Sequence, residues 1–165
     1  MRDQGLYDED ILLWSEQQAE IIRQLGRTRR DLPNKLDIEN VAEEIESVGR
    51  SELASVKSLV RQIFLHLMKL ATEPDAAAAR HWRDETVAFQ AELLDRYAPS
   101  MQQRLDLDQL WGSARERLML SSEGALHHAI AALPAVSPIV LDDLLRKYID
   151  IPNLVRRLLE IGERA

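Results

Sequence analysis

The chain has 165 residues, of which 45% are apolar and 30% are charged, so it is long enough to bury a core and too apolar to be disordered. The absence of cysteine excludes disulfides, thiolate zinc sites, iron–sulfur clusters and cysteine nucleophiles. The net charge of −7 argues against general binding to nucleic-acid phosphates, so a nucleic-acid partner is not expected.

The composition also predicts the fold class. Leu, Ala, Glu, Arg and Gln dominate the sequence, and these residues favour helices over strands. We expect an all-α fold, a single domain over residues 1–165 that forms a bundle of about five to six helices. The N-terminus lacks a basic start followed by an apolar run, and no apolar stretch approaches the ~20 residues of a membrane span. A cytoplasmic protein without a membrane segment is therefore expected.

The first helix is predicted to begin at Asp8, whose carboxylate can cap the first turn, and to end at Gly26. Tyr7 and Leu12 have the spacing of a hydrophobic staple around that cap. The residues that share its inward face are Ile11, Trp14, Ile22 and Leu25. Leu12, Leu13 and Ile21 lie off this face, which predicts a second apolar surface that covers another helix or a partner.

The segment after this helix, "GRTRRDLPNK", gathers Arg27, Arg29, Arg30 and Lys35. These cations form a candidate anion-binding loop for a phosphate or an acidic partner. On an acidic protein a short arginine cluster is more often just a solvated loop, and no aromatic residues interleave this one for base stacking.

A long helix is predicted near residues 38–71, with Asp37 as its N-cap. Its apolar residues keep one helical phase straight through Gly49, which predicts a continuous helix rather than two helices. The residues in this phase are Ile38, Val41, Ile45, Val48, Val56, Leu59, Val60, Ile63, Leu67 and Leu70. Further helices are expected to start near Thr72, Ser100, Ser122, Ser137 and Asp150, each of which suits an N-cap.

Two residues interrupt the apolar face of the long helix. Gly49 costs about 1 kcal/mol against alanine inside a helix, which indicates a close crossing by another helix. Glu52 lies near the middle of the same face, where a lone buried carboxylate would cost several kcal/mol. It is either a structural residue, paired with an arginine from another helix or with its stem turned out to water, or it is an acid, base or ligand group whose pKa burial has raised.

Arg50 beside Glu52, and His66 at the edge of the same face, complete a candidate buried polar or ligand site. Glu52 and His66 stand fourteen positions apart, about 21 Å along a helix axis, so they cannot hold one metal ion directly. No His-Glu-x-x-His pattern is present, and none of the four histidines has a glutamate three positions before it. Phosphate loops, nucleophile elbows and dinucleotide fingerprints are also missing, so no catalytic residue, metal or cofactor is predicted.

Three stretches carry a resemblance to a known family: "YDEDILLWSEQQAEIIRQL", "LDIENVAEEIESVGRSE" and "LHLMKL". They resemble a bacterial family of helical proteins known as domain of unknown function 29, most strongly over residues 7–82. The matching positions are Tyr7, Asp8, Asp10, Trp14, Glu16, Gln17, Asp37, Glu39, Asn40, Ala42, Glu43, Glu44, Ile45, Glu46, Gly49, Arg50, Ser51, Glu52, His66 and Lys69.

The chain also departs from the family pattern. The family often has tryptophan where Ile38 and Leu70 stand here, and it usually has Cys-Pro where this chain has Ser137-Pro138. Residues 149–165 look like a helical extension. The resemblance implies a compact helical fold and supplies no reaction.

Three functional hypotheses follow. The first is a non-catalytic interaction module that binds another protein or itself through an exposed helix face. The second is a small-ligand-binding protein or enzyme built around a buried Glu52, with Arg50 and His66. The third is phosphate or nucleic-acid contact through the Arg27–Lys35 loop.

Overall fold

The computed structural model describes residues 5–162, and within that range the chain is all helical, with no strand. The helices are α1 (Leu6–Glu9), α2 (Ile11–Thr28), α3 (Ile38–Thr72), α4 (Ala79–Arg96), a 3-10 helix (Pro99–Arg104), α5 (Leu107–Leu120), α6 (Gly124–Ala131), α7 (Leu141–Leu144) and α8 (Ile151–Gly162). Six of the helices described there have seven or more residues. The predicted all-α fold of about five to six helices, with one long helix near residues 38–71, is confirmed.

The contacts of the described chain divide it into two compact units. The first contains residues 5–56 and Arg96–Arg104, and the second contains Lys57–Asp95 and 105–162. Helix α3 supplies its first half to one unit and its second half to the other. In this part of the chain no helix is both long enough and apolar enough to cross a membrane. The domain limits expected from the sequence, including the extension at 149–165, stay a prediction.

In the first unit, α2 begins two residues later than predicted. Its N-cap is Asp10, whose carboxylate accepts a hydrogen bond from the Leu13 N–H at 3.0 Å, so the prediction of a cap at Asp8 is wrong. Tyr7 makes an edge-to-face contact with Trp14, with ring centroids 4.7 Å apart. Leu12, which the sequence placed off the inward face, is buried.

Gly26 does not end α2, which continues to Thr28. The structure gives this glycine a different purpose, because a Cβ there would lie 2.7 Å from Ile38 Cγ2. Glycine therefore allows α2 to approach the start of α3. Three residues predicted to face inward, Leu25, Val41 and Val48, are exposed.

The second unit is built around aromatic and aliphatic side chains. Phe64 and Trp111 meet edge to face at 5.4 Å, and the indole N–H of Trp111 donates to the Pro134 carbonyl at 2.8 Å. The buried amide of Gln90 donates to the carbonyls of Leu144 and Arg146. These bonds satisfy polar groups that burial would otherwise leave at a cost.

Several helix starts in the C-terminal half differ from the predictions. Thr72 closes α3, with its hydroxyl donating to the Met68 carbonyl, and α4 begins only at Ala79. Ser100 lies in the 3-10 helix, and Asp106 caps α5. Of the predicted caps, Asp37 and Asp150 do accept first-turn N–H groups, from Asn40 and Asn153 respectively.

Candidate functional site

Gly49 lies where α3 passes close to α2 within the first unit. It is buried, and a Cβ built on it would overlap the Ser15 hydroxyl and lie 3.0 Å from the Leu12 Cα. Ser15 is itself fixed, because its hydroxyl donates to the Leu12 carbonyl at 2.9 Å. Only glycine at this position leaves room for the two helices at their present separation.

Glu52, one turn further along α3, is partly exposed rather than fully buried. About a third of its side chain is exposed (33%), and its carboxylate pairs with Arg96 at 3.0 Å. Arg96 belongs to the end of α4, so the pair joins two helices. This is the arrangement of a structural ion pair, the first of the two interpretations of Glu52.

Arg50 points to an acidic ridge of α3, formed by Glu43 and Glu46, and not to Glu52. Its guanidinium pairs with Glu43 and, at 3.7 Å, with Glu46. Arg23 from α2 reaches the same ridge and bonds Glu46 at 2.7 Å. The hydrogen bond from Arg23 holds the pKa of Glu46 below its usual value, against the opposing effect of burial. Arg50 and Glu52 thus serve separate ion pairs.

His66 belongs to the second unit and is 94% buried, since only 6% of it is exposed. Its Nε2 lies 3.4 Å from a carboxylate oxygen of Glu85, and Nδ1 is buried with no hydrogen-bond partner in the described chain. Burial lowers the pKa of His66; Glu85 opposes this shift, and Lys69 and His81 add to it. The ring is therefore neutral at pH 7.

The predicted trio of Glu52, Arg50 and His66 is not one described site, because the structure divides it between the two units. Across residues 5–162, no three His, Asp or Glu side chains are gathered in a way that could hold a metal ion.

The predicted anion-binding loop is also divided. Arg27 lies in the last turn of α2 and pairs with Glu20 at 2.6 Å, so it is not a loop residue. Arg29 pairs with Asp31. Arg30 and Lys35 are exposed, and neither forms an ion pair with a described residue. Two of the four cations are thus already neutralised by neighbouring carboxylates.

The exposed face of α2 is an apolar feature that these site predictions did not include, although the sequence did place Leu13 and Ile21 off the inward face. Leu13 is 36% exposed and Ile21 is 48% exposed. Together with Gln17 they line a shallow depression of about 430 Å³. Glu16 and Glu20 also line it. We call these five residues the α2 face.

Comparison with known proteins gives a family and a fold. The chain matches the family model described as domain of unknown function DUF29 over residues 6–149. It is similar to the crystal structure of an alpha-helical protein of unknown function from Rhodospirillum rubrum ATCC 11170, with 35% sequence identity and a TM-score of 0.82. That match covers 94% of this chain and 99% of the other. No curated protein matches the sequence.

Proposed function

The chain belongs to the DUF29 family, and from that premise we propose that it is a non-catalytic interaction module that binds an amphipathic helix of a partner protein on the α2 face. The observation that carries this proposal is the exposure of Leu13 and Ile21 on one helix, with Gln17 between them. Apolar anchors two turns apart are the spacing with which one helix recognises another.

The charges of the α2 face select the kind of partner. Glu16 and Glu20 line the same depression, and their carboxylates already pair with Arg104 at 2.9 Å and with Arg27 at 2.6 Å. Of the two, Glu20 is the more accessible, because 63% of its side chain is exposed. An apolar helix flanked by lysine or arginine would bury Leu13 and Ile21 and meet these carboxylates at the rim. Rim charges of this type add specificity and association rate more than affinity.

The other two hypotheses receive less support from the geometry. The Glu52 carboxylate already has a guanidinium partner in Arg96, which is what a structural role requires and what a free acid or base lacks. In the Arg27–Lys35 segment, Glu20 and Asp31 already compensate Arg27 and Arg29. A bound phosphate would have to compete with both carboxylates.

The test is a gentle purification of the tagged full-length chain from its source cells, followed by native mass spectrometry and cross-linking. The parent is compared with a Leu13→Gln/Ile21→Gln variant, which keeps helix formers at both positions while removing the apolar anchors. We expect a stoichiometric partner that cross-links to α2 through a basic amphipathic helix and is lost from the double variant. Glu20→Lys should weaken the same complex.

The matched control is Val87→Gln, because Val87 is an exposed apolar residue on α4. It should retain the partner in full. Light scattering of the purified parent gives an independent result: a dimer that the double variant dissociates would make the occupant a second copy and overturn the proposed partner. A monomer with no stoichiometric partner, or a partner held equally by the double variant, would also overturn it.

A further inference from the structure

The second unit contains two adjoining cavities between α3 and α5. The first has a volume of about 200 Å³ and is lined by Ser58, Arg61, Gln62, Leu65, Ser113, Ala114 and Arg117. The second, about 210 Å³, is lined by Gln62, Leu65, His66, Lys69, Arg117, Leu118 and Ser121. They share Gln62, Leu65 and Arg117 in their linings, so they are neighbours. We call the two cavities together the α3–α5 groove.

The lining of the α3–α5 groove is cationic and rich in hydrogen-bond donors. Arg61, Lys69 and Arg117 supply three positive charges, serine hydroxyls line both cavities, and no described carboxylate lines either of them. Residues 53–72 of α3 contain no Asp or Glu at all. The groove is thus a local exception on a chain with a net charge of −7.

Arg61 and Arg117 also differ from most arginines of the described chain in having no carboxylate within ion-pair distance. Ten other arginines are paired there: Arg23, Arg27, Arg29, Arg50, Arg80, Arg96, Arg104, Arg146, Arg156 and Arg157. On an acidic chain, two uncompensated guanidinium groups that border one cavity indicate an anion that comes from outside.

His66 provides a second and independent observation. Its ring lines the second cavity and is 94% buried, and its Nδ1 has no hydrogen-bond partner among the described residues. A buried polar atom in this state carries a desolvation cost that a bound group would relieve. The groove is therefore lined by unmatched positive charge and by a histidine whose Nδ1 is buried and unmatched.

We propose that the α3–α5 groove binds a phosphorylated small molecule. Its phosphate lies in the first cavity between Arg61 and Arg117, and its polar body extends into the second cavity beside His66 and Lys69. A phosphate ester presents three terminal oxygens, against two for a carboxylate. Two guanidinium forks and the hydroxyls of Ser58 and Ser113 supply more donors than a carboxylate can accept.

The experiment is isothermal titration of the full-length chain at fixed ionic strength with two probes, inorganic phosphate and glycerol phosphate. We expect saturable binding of both, tighter for glycerol phosphate. Arg61→Gln and Arg117→Gln should each weaken binding about tenfold or more, the effect of losing a hydrogen bond to a charged group. Both side chains are exposed, so circular dichroism should show that the variants keep their helices.

The matched control is Arg83→Gln, because Arg83 is an exposed arginine on α4 and is also without an ion pair in the described chain. It should bind both probes as the parent does. Absence of saturable binding would overturn the proposal, as would equal losses in Arg83→Gln and Arg117→Gln. A single-stranded oligonucleotide is titrated in the same way. If it binds and neither small probe does, the small-molecule proposal is overturned and the groove is a nucleic-acid contact instead.

A second readout does not depend on heat of binding. At a concentration near the dissociation constant of the parent, glycerol phosphate should shift the imidazole NMR signals of His66 in the parent and shift them much less in Arg117→Gln. Unchanged His66 signals in the parent would show that the ligand does not extend into the second cavity. None of these variants changes a residue of the α2 face. The anion-binding proposal and the protein-interaction proposal are therefore tested separately, and either can fail without the other.

Discussion

The carboxylate of Asp10 accepts two hydrogen bonds from Ser100, which stands ninety positions away in the sequence. The backbone N–H of Ser100 donates to Oδ2 at 2.9 Å and its hydroxyl donates to Oδ1 at 2.6 Å. Because Asp10 also caps α2 through the Leu13 N–H, one buried side chain fixes a helix start and ties the 3-10 helix to it. Burial acts to raise the pKa of Asp10, but the hydrogen bonds from Ser100 and Leu13 outweigh it and lower the pKa.

Asp10→Asn should therefore destabilise the chain by about 2 kcal/mol at pH 7, because an amide NH₂ would replace one of two carboxylate oxygens that accept N–H or O–H groups. The pKa is lowered, so this stability is present above about pH 4 and is lost as the pH falls through the folded-state pKa. Urea unfolding should show a difference in unfolding free energy between parent and variant that becomes smaller at acid pH.

Asp8→Asn is the matched control for Asp10→Asn. Asp8 is exposed and was the cap expected from the sequence, so this comparison separates the predicted cap from the observed one. A loss of stability in Asp8→Asn as large as that in Asp10→Asn would contradict the structure.

Gly49→Ala should destabilise the chain by about 2 kcal/mol, since the added methyl group overlaps Ser15 and presses on the backbone of Leu12. Adding Ser15→Ala should recover only part of the loss, because the Leu12 Cα remains 3.0 Å from the new Cβ. Thermal and urea unfolding of both variants measure this difference.

The helix-propensity control for Gly49→Ala is Gly112→Ala. A Cβ at Gly112 in α5 meets nothing within 4 Å, so this change should stabilise the chain by up to about 1 kcal/mol. A stabilising Gly49→Ala would show that the crossing with α2 is looser than described.

Glu52→Gln should cost less than about 1 kcal/mol, because the Glu52–Arg96 pair is partly exposed and such pairs contribute little. The measurement is unfolding at pH 7 in low and high salt, where the small difference from the parent should shrink further as salt screens the pair. A loss of several kcal/mol would instead indicate a buried lone carboxylate. That result would favour the hypothesis of a ligand or catalytic site at Glu52.

The sequence predicts features that depend on local pattern. Helix α3 was predictable because its apolar phase continues through Gly49, and the close approach at Gly49 followed from the cost of a mid-helix glycine. The cap of α2 was not predictable, because Asp8 and Asp10 are equally good caps by residue type. Ser100 favours Asp10, and that contact exists only in the folded chain.

The candidate site shows the same limit. Helical phase placed Glu52 on an apolar face but carried no information about Arg96, which lies 44 positions later. Arg61 and Arg117 were also separated in sequence, and the lack of an acidic partner for each is a property of three-dimensional neighbours. A charged residue can therefore be assigned to a functional site or to a structural ion pair only when its three-dimensional neighbours are known.

His66→Gln should reduce the loss of unfolding free energy that the chain shows as the pH falls. Burial lowers the pKa of His66 below its usual 6.5, so the unfolded chain binds a proton that the folded chain resists, and stability falls as the pH drops below about 6.5. One such proton limits the slope to about 1.4 kcal/mol per pH unit. Glu85 counteracts the effect of burial, whereas Lys69 and His81 add to it, so all three stay unchanged in the variant.

Urea unfolding between pH 7.5 and 5.5 should show a decline in the free energy of unfolding in the parent and in the control His128→Gln, which changes an exposed histidine. The decline should be smaller in His66→Gln. Equal declines in all three proteins would contradict a buried neutral imidazole.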